Sequence, residues 1–139
     1  MQIMRIADPE ARKAFVEVVS EALKPLEVET VYLFGTHGTS RQRADSDVDV
    51  AFLARKPNRS LEIQGVRQDL AERLNKDVDV LDLMAVPVSM RFSVVTSGDR
   101  LLDLNPEKRR EFEMYTYSDY LRLKEERAPI LAAIRKELQ

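Results

Sequence analysis

The residues best able to do chemistry are concentrated between positions 31 and 53. Gly35 and Thr36 follow one apolar segment, and Asp47 and Asp49 open a second apolar segment after ten intervening residues. A glycine lets the backbone approach a phosphate closely, and a helix that begins at Thr36 would favour an anion there. Two carboxylates at strand spacing point the same way, about 6 to 7 Å apart. The stretch therefore predicts a site for a metal-bound triphosphate.

A third carboxylate strengthens this interpretation. Asp79 lies in the middle of another apolar run, and it would face Asp47 and Asp49 if the two strands were neighbours. Three converging carboxylates repel one another without a cation, and oxygen ligands of this kind select Mg²⁺ or Mn²⁺. Solvated strand ends would explain an isolated Asp-x-Asp pair but explain three carboxylates poorly. Asp77 and Asp82 are expected to be surface residues at the start and end of that strand.

The elements around these residues alternate between helix and strand, which predicts a single α/β domain over residues 1–139. Amphipathic periodicity and proline or glycine boundaries predict helices from Asp8-Pro9 to Pro25, around Ile63 to Leu74, from Pro87 to Gly98, and from Pro106 onward. Apolar and β-branched runs predict strands at 29–34, 47–53 and 77–83, with a short edge strand at 99–104. Linker lengths do not fix strand direction, so a small mixed sheet flanked by helices is expected. Pro129 predicts a kink or break in the helical tail at 106–139.

Bulk composition excludes several classes of protein. The formal net charge is −2, which argues against nucleic acid as a direct partner. The chain has no cysteine, so disulfides and thiolate metal sites are excluded. No segment approaches the roughly 18 to 20 apolar residues that a membrane helix requires. A cytoplasmic protein without a membrane segment is expected.

The central pattern resembles a known family motif. Gly35-Thr36, ten residues and Asp47-x-Asp49 are similar to the G-S-x10-D-x-D motif of the DNA polymerase β-like nucleotidyltransferases, and Ser46 also fits that pattern. The run at 78–83 resembles the strand that carries the third carboxylate in this family. The size of the chain resembles that of the minimal nucleotidyltransferases. Within this group, the chain looks most like the MntA-type antitoxins that are paired with HEPN-domain toxins, also in its helical tail from Tyr117 to Leu138.

The resemblance implies a nucleotidyltransferase fold and a Mg²⁺-dependent transfer of AMP from ATP to a protein hydroxyl. The acceptor would be a tyrosine of a cognate HEPN toxin, which the transfer would block. Two Mg²⁺ ions would be held by Asp47, Asp49 and Asp79, with Asp79 also assisting deprotonation of the acceptor. The nucleotide would be bound by Gly35, Thr36, Ser46, Arg41 and Arg43. Threonine replaces the usual family serine at 36, and the family's frequent arginine and glycine are absent at 39 and 40.

Two other functions stay open at this point. The acceptor could be a small molecule or an RNA end, although the chain has no added substrate domain and carries net negative charge. The chain could also neutralise a toxin by binding alone, although three retained carboxylates argue for catalysis. The tail at 106–139 is a candidate partner-binding segment. Its tyrosines (Tyr115, Tyr117 and Tyr120) could form that surface or pack on the sheet, and His37 is expected at the surface.

Overall fold

Four strands form one mixed sheet in the computed structural model, which describes residues 8–35 and 47–139. They are β1 (Val28–Phe34), β2 (Val48–Ala54), β3 (Val78–Asp82) and β4 (Asp99–Asp103). Their order across the sheet is β3-β2-β1-β4. Strand β1 is antiparallel to both β2 and β4, whereas β2 and β3 are parallel. The predicted strands are confirmed to within a residue or two at each end, and the segment at 99–104 lies at the sheet edge as expected.

The helices begin and end near the predicted boundaries because their capping residues are strong signals. They are α1 (Pro9–Leu23), α2 (Ser60–Leu74), α3 (Val88–Ser97) and α4 (Pro106–Glu137). The side chain of Asp8 accepts a hydrogen bond from the Ala11 N–H, which caps α1. Asn75 ends α2 with a φ of 54°, in the left-handed region that asparagine tolerates. Gly98 closes α3, as its position predicted.

Helices cover both faces of the sheet. On one face, α1 and α2 pack on strand residues that include Val48, Val50 and Val78. On the other face, α3 and the first turns of α4 pack on a second cluster that includes Ala51 and Leu53. The alternation of β2 is therefore as predicted, with its valines on one side and its aspartate and alanine positions on the other.

Helix α4 corrects one expectation. It runs unbroken from Pro106 to Glu137 with Pro129 inside it, so a break at this proline is wrong, while the alternative of a kink stays a prediction. A proline removes one backbone hydrogen bond and leaves a carbonyl four residues earlier without that donor. Every residue from Lys124 to Gln139 is exposed, so water can reach this carbonyl and the cost of the proline is reduced.

None of the helices in the two described ranges is long and apolar enough to cross a membrane.

Candidate active site

Two of the predicted site carboxylates lie side by side on neighbouring strands. Asp49 of β2 and Asp79 of β3 are Cα partners in the parallel ladder. Both alternate with valines that face α1 and α2, so both carboxylates point to the face that α3 and α4 cover. Asp49 is only 4% exposed, and Asp79 is half-buried. The condition attached to the sequence prediction, that the two strands must be neighbours, is met.

Gly35 lies beside the pair formed by Asp49 and Asp79. Phe34, the last residue of β1, is the Cα partner of Asp49 on the other side of β2. Asp49 therefore lies between the end of β1 and Asp79, and the chain passes directly from Phe34 to the half-buried Gly35. Gly35, the first residue of the predicted phosphate-binding segment, thus lies at the same end of the sheet as the carboxylates.

Asp47 lies just before β2, and its backbone and side chain hold the starts of β2 and β3 together. Its N–H donates to the Asp77 carbonyl at 2.9 Å, as does the Val48 N–H at 3.1 Å. In return, the Asp77 N–H donates to Oδ2 of Asp47 at 3.3 Å. Asp77 lies immediately before β3, and Asp82 is the last residue of β3. The Asp82 carboxylate accepts a hydrogen bond from the Met84 N–H at 2.9 Å. Both occupy the strand-end positions expected for them.

Four residues of the predicted site lie outside the described residues: Thr36, Arg41, Arg43 and Ser46. His37, which was expected at the surface, also lies outside them. Within residues 8–35 and 47–139, no group of three or more acidic or histidine side chains converges closely enough to hold a metal ion. The structure therefore brings Asp49 and Asp79 together and places Asp47 immediately before β2, two residues ahead of Asp49, without assembling all three around one point.

Two basic residues near Asp47 were missed by the sequence analysis. An open polar cleft of about 510 Å³ is lined by Asp47 and Asp77 together with Arg67 of α2 and Lys76. Lys76 lies between the end of α2 and the start of β3, and Arg67 lies in the middle of α2. Nothing in their local sequence marks them, because only the packing of α2 on the sheet brings them to this edge.

A buried polar network anchors α4 to the face that carries Asp49. The Tyr32 hydroxyl donates to Oε2 of Glu113 at 2.7 Å, and burial raises the pKa of this tyrosine far above its ordinary value. Arg109 donates to Oε1 of Glu113 and to Oδ2 of Asp103, each at 3.0 Å. These charge-assisted hydrogen bonds join β1, β4 and α4, and they fix where α4 crosses the sheet.

Two of the three tail tyrosines contact α3. Tyr120 stacks on Phe92 with ring centroids 3.8 Å apart, and Tyr117 meets the same ring edge-on at 5.7 Å. Tyr115 is 62% exposed. These ring contacts place Tyr117 and Tyr120 against α3, and a partner-binding role for the tail tyrosines stays a prediction.

Comparison with known proteins identifies the class. The family model described as Polymerase beta, Nucleotidyltransferase matches residues 17–107, which include every described site residue and the elements that carry them. The chain belongs to this nucleotidyltransferase family, and the fold predicted from its motif is confirmed.

Within the family, the similarity is to the MntA type. Protein adenylyltransferase MntA of Shewanella oneidensis is 32% identical over 104 residues, which cover 75% of this chain and 74% of that protein. A solved structure of the MntA–HepT toxin–antitoxin matches with a TM-score of 0.73 and 26% identity, covering 88% of this chain and 98% of the other. A toxin–antitoxin structure with AMP-PNP matches with a TM-score of 0.72 and 28% identity, covering 86% and 98%.

A third solved structure describes a reaction product. It contains a tri-AMPylated Shewanella oneidensis HEPN toxin in complex with its MNT antitoxin, and it matches this chain with a TM-score of 0.73 and 26% identity. The match covers 89% of this chain and 98% of the other. The resemblance recognised in the motif thus extends over most of the chain, including elements outside the motif.

Proposed function

We propose that this chain is a protein adenylyltransferase that transfers AMP from ATP to a hydroxyl of a cognate HEPN toxin and thereby acts as its antitoxin. The observation that carries the proposal is the Asp49–Asp79 pair beside Gly35, in a chain 32% identical to protein adenylyltransferase MntA. The AMP-modified toxin in one related complex supports a protein acceptor. The AMP-PNP complex of another relative supports ATP as the donor.

The chemistry of the carboxylates supports Mg²⁺ as the bound ion. All are hard oxygen donors, and two of them are adjacent, with Asp49 nearly buried. We propose that Asp47, Asp49 and Asp79 hold two Mg²⁺ ions when ATP is bound. Bound metal would supply charge neutralisation at both the entering and the leaving oxygen of an in-line displacement.

The protein's own groups have separate tasks in this proposal. Asp79 lies on β3, on the far side of Asp49 from Gly35, and would accept the proton of the attacking hydroxyl. Gly35 and Thr36 would hold the phosphates at the end of β1, with Ser46 and the guanidinium groups of Arg41 and Arg43 contributing to nucleotide binding. The transferred phosphorus would therefore sit over Asp49, between the turn and the acceptor.

The test is to incubate the chain with ATP, Mg²⁺ and the HEPN protein encoded beside it, and to measure the mass of that protein. A mass increase of one AMP or a multiple, with loss of the modification when the acceptor tyrosine is changed to Phe, is the expected result. Neutralisation of the toxin with no mass increase would favour inhibition by binding alone. Transfer to RNA or a small molecule with an unmodified toxin would favour the remaining alternative.

The cytoplasmic location stays a prediction from the sequence, and fractionation of the host cell with an antibody to the chain would test it.

A further inference from the structure

The second half of α4 carries apolar side chains that the rest of the described chain leaves uncovered. Leu131 and Ile134 are each 50% exposed, and Leu138 is 81% exposed. With Tyr120 and Arg127 they recur at intervals of three, four or seven residues, so they share one side of the helix. An extended helix with one exposed apolar stripe gains most of its stability by packing that stripe against another element.

This stripe continues into a groove beside α3. A cavity of about 400 Å³ lies between Ser89, in the first turn of α3, and the α4 residues that follow Tyr120. Leu123 and Leu131 form its apolar wall. Tyr120 also lines this groove, and its ring is held in place by stacking on Phe92.

Three cations line the same groove: Lys124, Arg127 and Arg135. In the part of the chain that the structure describes, none of the three forms an ion pair with a carboxylate. Arg109, on the same helix, differs from these three residues because it forms ion pairs with Asp103 and Glu113. A groove with apolar walls and unneutralised cations is complementary to an apolar surface edged with carboxylates.

We infer that this groove and the stripe beyond it dock one amphipathic helix of the protein acceptor, with acidic side chains beside its apolar face. The inference rests on the proposed function, since it assumes that the acceptor is a protein. The apolar residues of the partner would pack on Leu123, Leu131 and Ile134, and its carboxylates would pair with Lys124, Arg127 and Arg135. The surface would hold the acceptor on the enzyme, while the reaction takes place at Asp49.

The observations favour a protein helix over nucleic acid. Nucleic-acid interfaces are strongly basic and polar, whereas this surface mixes three cations with a continuous apolar stripe. Glu125 and Glu126 lie on the same helical turns and would repel phosphates. An amphipathic helix laid in a groove uses both the apolar and the charged parts of the surface.

The probe is a labelled 18-residue helical peptide that has leucines at helical spacing flanked by glutamates, used with the full chain and no ATP or Mg²⁺. We expect saturable binding by fluorescence anisotropy, and none for a peptide of the same composition with scrambled order or for one with lysines in place of glutamates. Arg127→Glu with Arg135→Glu should weaken binding at least tenfold, and so should Leu131→Asp. The matched control is Arg122→Glu with Lys136→Glu, an equal charge change on the opposite side of α4, which should bind as the unmodified chain does.

The outcomes separate this inference from the proposed function. Asp49→Asn should bind the peptide normally while losing AMP transfer. Equal binding of the groove and control variants, tighter binding of an RNA oligonucleotide, or occupation of the stripe by a second copy of the chain in sedimentation would each overturn the inference. If the unmodified chain bound the peptide but transferred no AMP, the result would count against the proposed function alone. Circular dichroism melting of each variant checks that α4 is still folded.

Discussion

Asp49 and Asp79 are Cα partners in the parallel ladder between β2 and β3, so their carboxylates share one face of the sheet at adjacent positions. Two neighbouring carboxylates, one of them nearly buried, are stabilised as a charged pair when a cation lies between them. This relationship is the part of the proposed catalytic site that the structure places directly, and the first prediction depends on it.

Changing Asp47→Asn together with Asp49→Asn should abolish Mg²⁺-dependent transfer from ATP, a loss of more than about a hundredfold. Asparagine keeps the side-chain shape and removes the charge that would hold the metal. Transfer is measured by the mass of the toxin, and Mg²⁺ with AMP-PNP should raise the melting temperature of the unmodified chain but not of the variant. Asp69→Asn, a change at a partly exposed position of α2, is the control. Full transfer by the double variant would show that Asp47 and Asp49 do not belong to the catalytic site.

Tyr32→Phe should lower the free energy of unfolding by about 2 kcal/mol, because it removes a hydrogen bond to a charged acceptor in a buried network. Glu113 would keep its ion pairs with Arg109 and Arg100, so the helix should stay docked. Urea denaturation of both chains measures the difference. Tyr115→Phe removes the same hydroxyl from an exposed position and should have no effect. Equal stability of Tyr32→Phe and the unmodified chain would mean that the network does not hold α4.

Glu29 should contribute stability that depends on pH. Its carboxylate accepts from Nζ of Lys108 at 3.0 Å, and this hydrogen bond lowers the pKa of Glu29 below its ordinary value of 4.5. Since the folded-state pKa is lower than the unfolded-state pKa, the contribution is present above the unfolded value and is lost as pH falls through the folded value. Glu29→Gln should therefore destabilise the chain near neutral pH, and the difference should vanish well below pH 4.5.

Unfolding of both chains by urea across that pH range provides the measurement. Glu111→Gln, an exposed change on α4, controls for the loss of one negative charge. A difference between Glu29→Gln and the unmodified chain that is the same at every pH would show that Glu29 acts through packing and not through its charge.

Two glycines should respond to alanine in opposite directions. A Cβ added at Gly98 would lie 2.5 Å from the Val94 carbonyl oxygen and 3.4 Å from that of Leu33, so Gly98→Ala should destabilise the chain by about 1–3 kcal/mol. Gly65 lies inside α2 with nothing within 4 Å of its added Cβ, so Gly65→Ala should stabilise the chain by about 0.5–1 kcal/mol. Thermal unfolding of both variants provides the comparison, and a change of the same sign in both would contradict the packing described around Gly98.

The sequence predicted the local elements well because their signals are local. The cap at Asp8, the stop at Asn75 and the strand alternation around Asp49 each depend on a few neighbouring residues. The face on which Asp49 and Asp79 meet could be predicted once their strands were assumed to be neighbours, but the strand order could not, because linker length leaves direction open.

Other features depend on long-range packing. Tyr32 and Glu113 are 81 positions apart, and no pattern in the chain pairs them. The sequence predicted a helix from Pro106 onward but not whether another element covers Leu131 and Ile134, and the structure leaves each of them 50% exposed. The metal- and phosphate-binding roles of Asp47 and Thr36 stay predictions, since the turn that joins their strands lies outside the described residues.

Strand β4 has a consequence for the behaviour of the chain at high concentration. It is one of the two outer strands of the sheet, it is only five residues long, and Asp99, Arg100 and Asp103 give it charge at both ends. Short, charged outer strands oppose the addition of a strand from another molecule. On this side of its sheet, the chain therefore resists edge-to-edge association with other molecules.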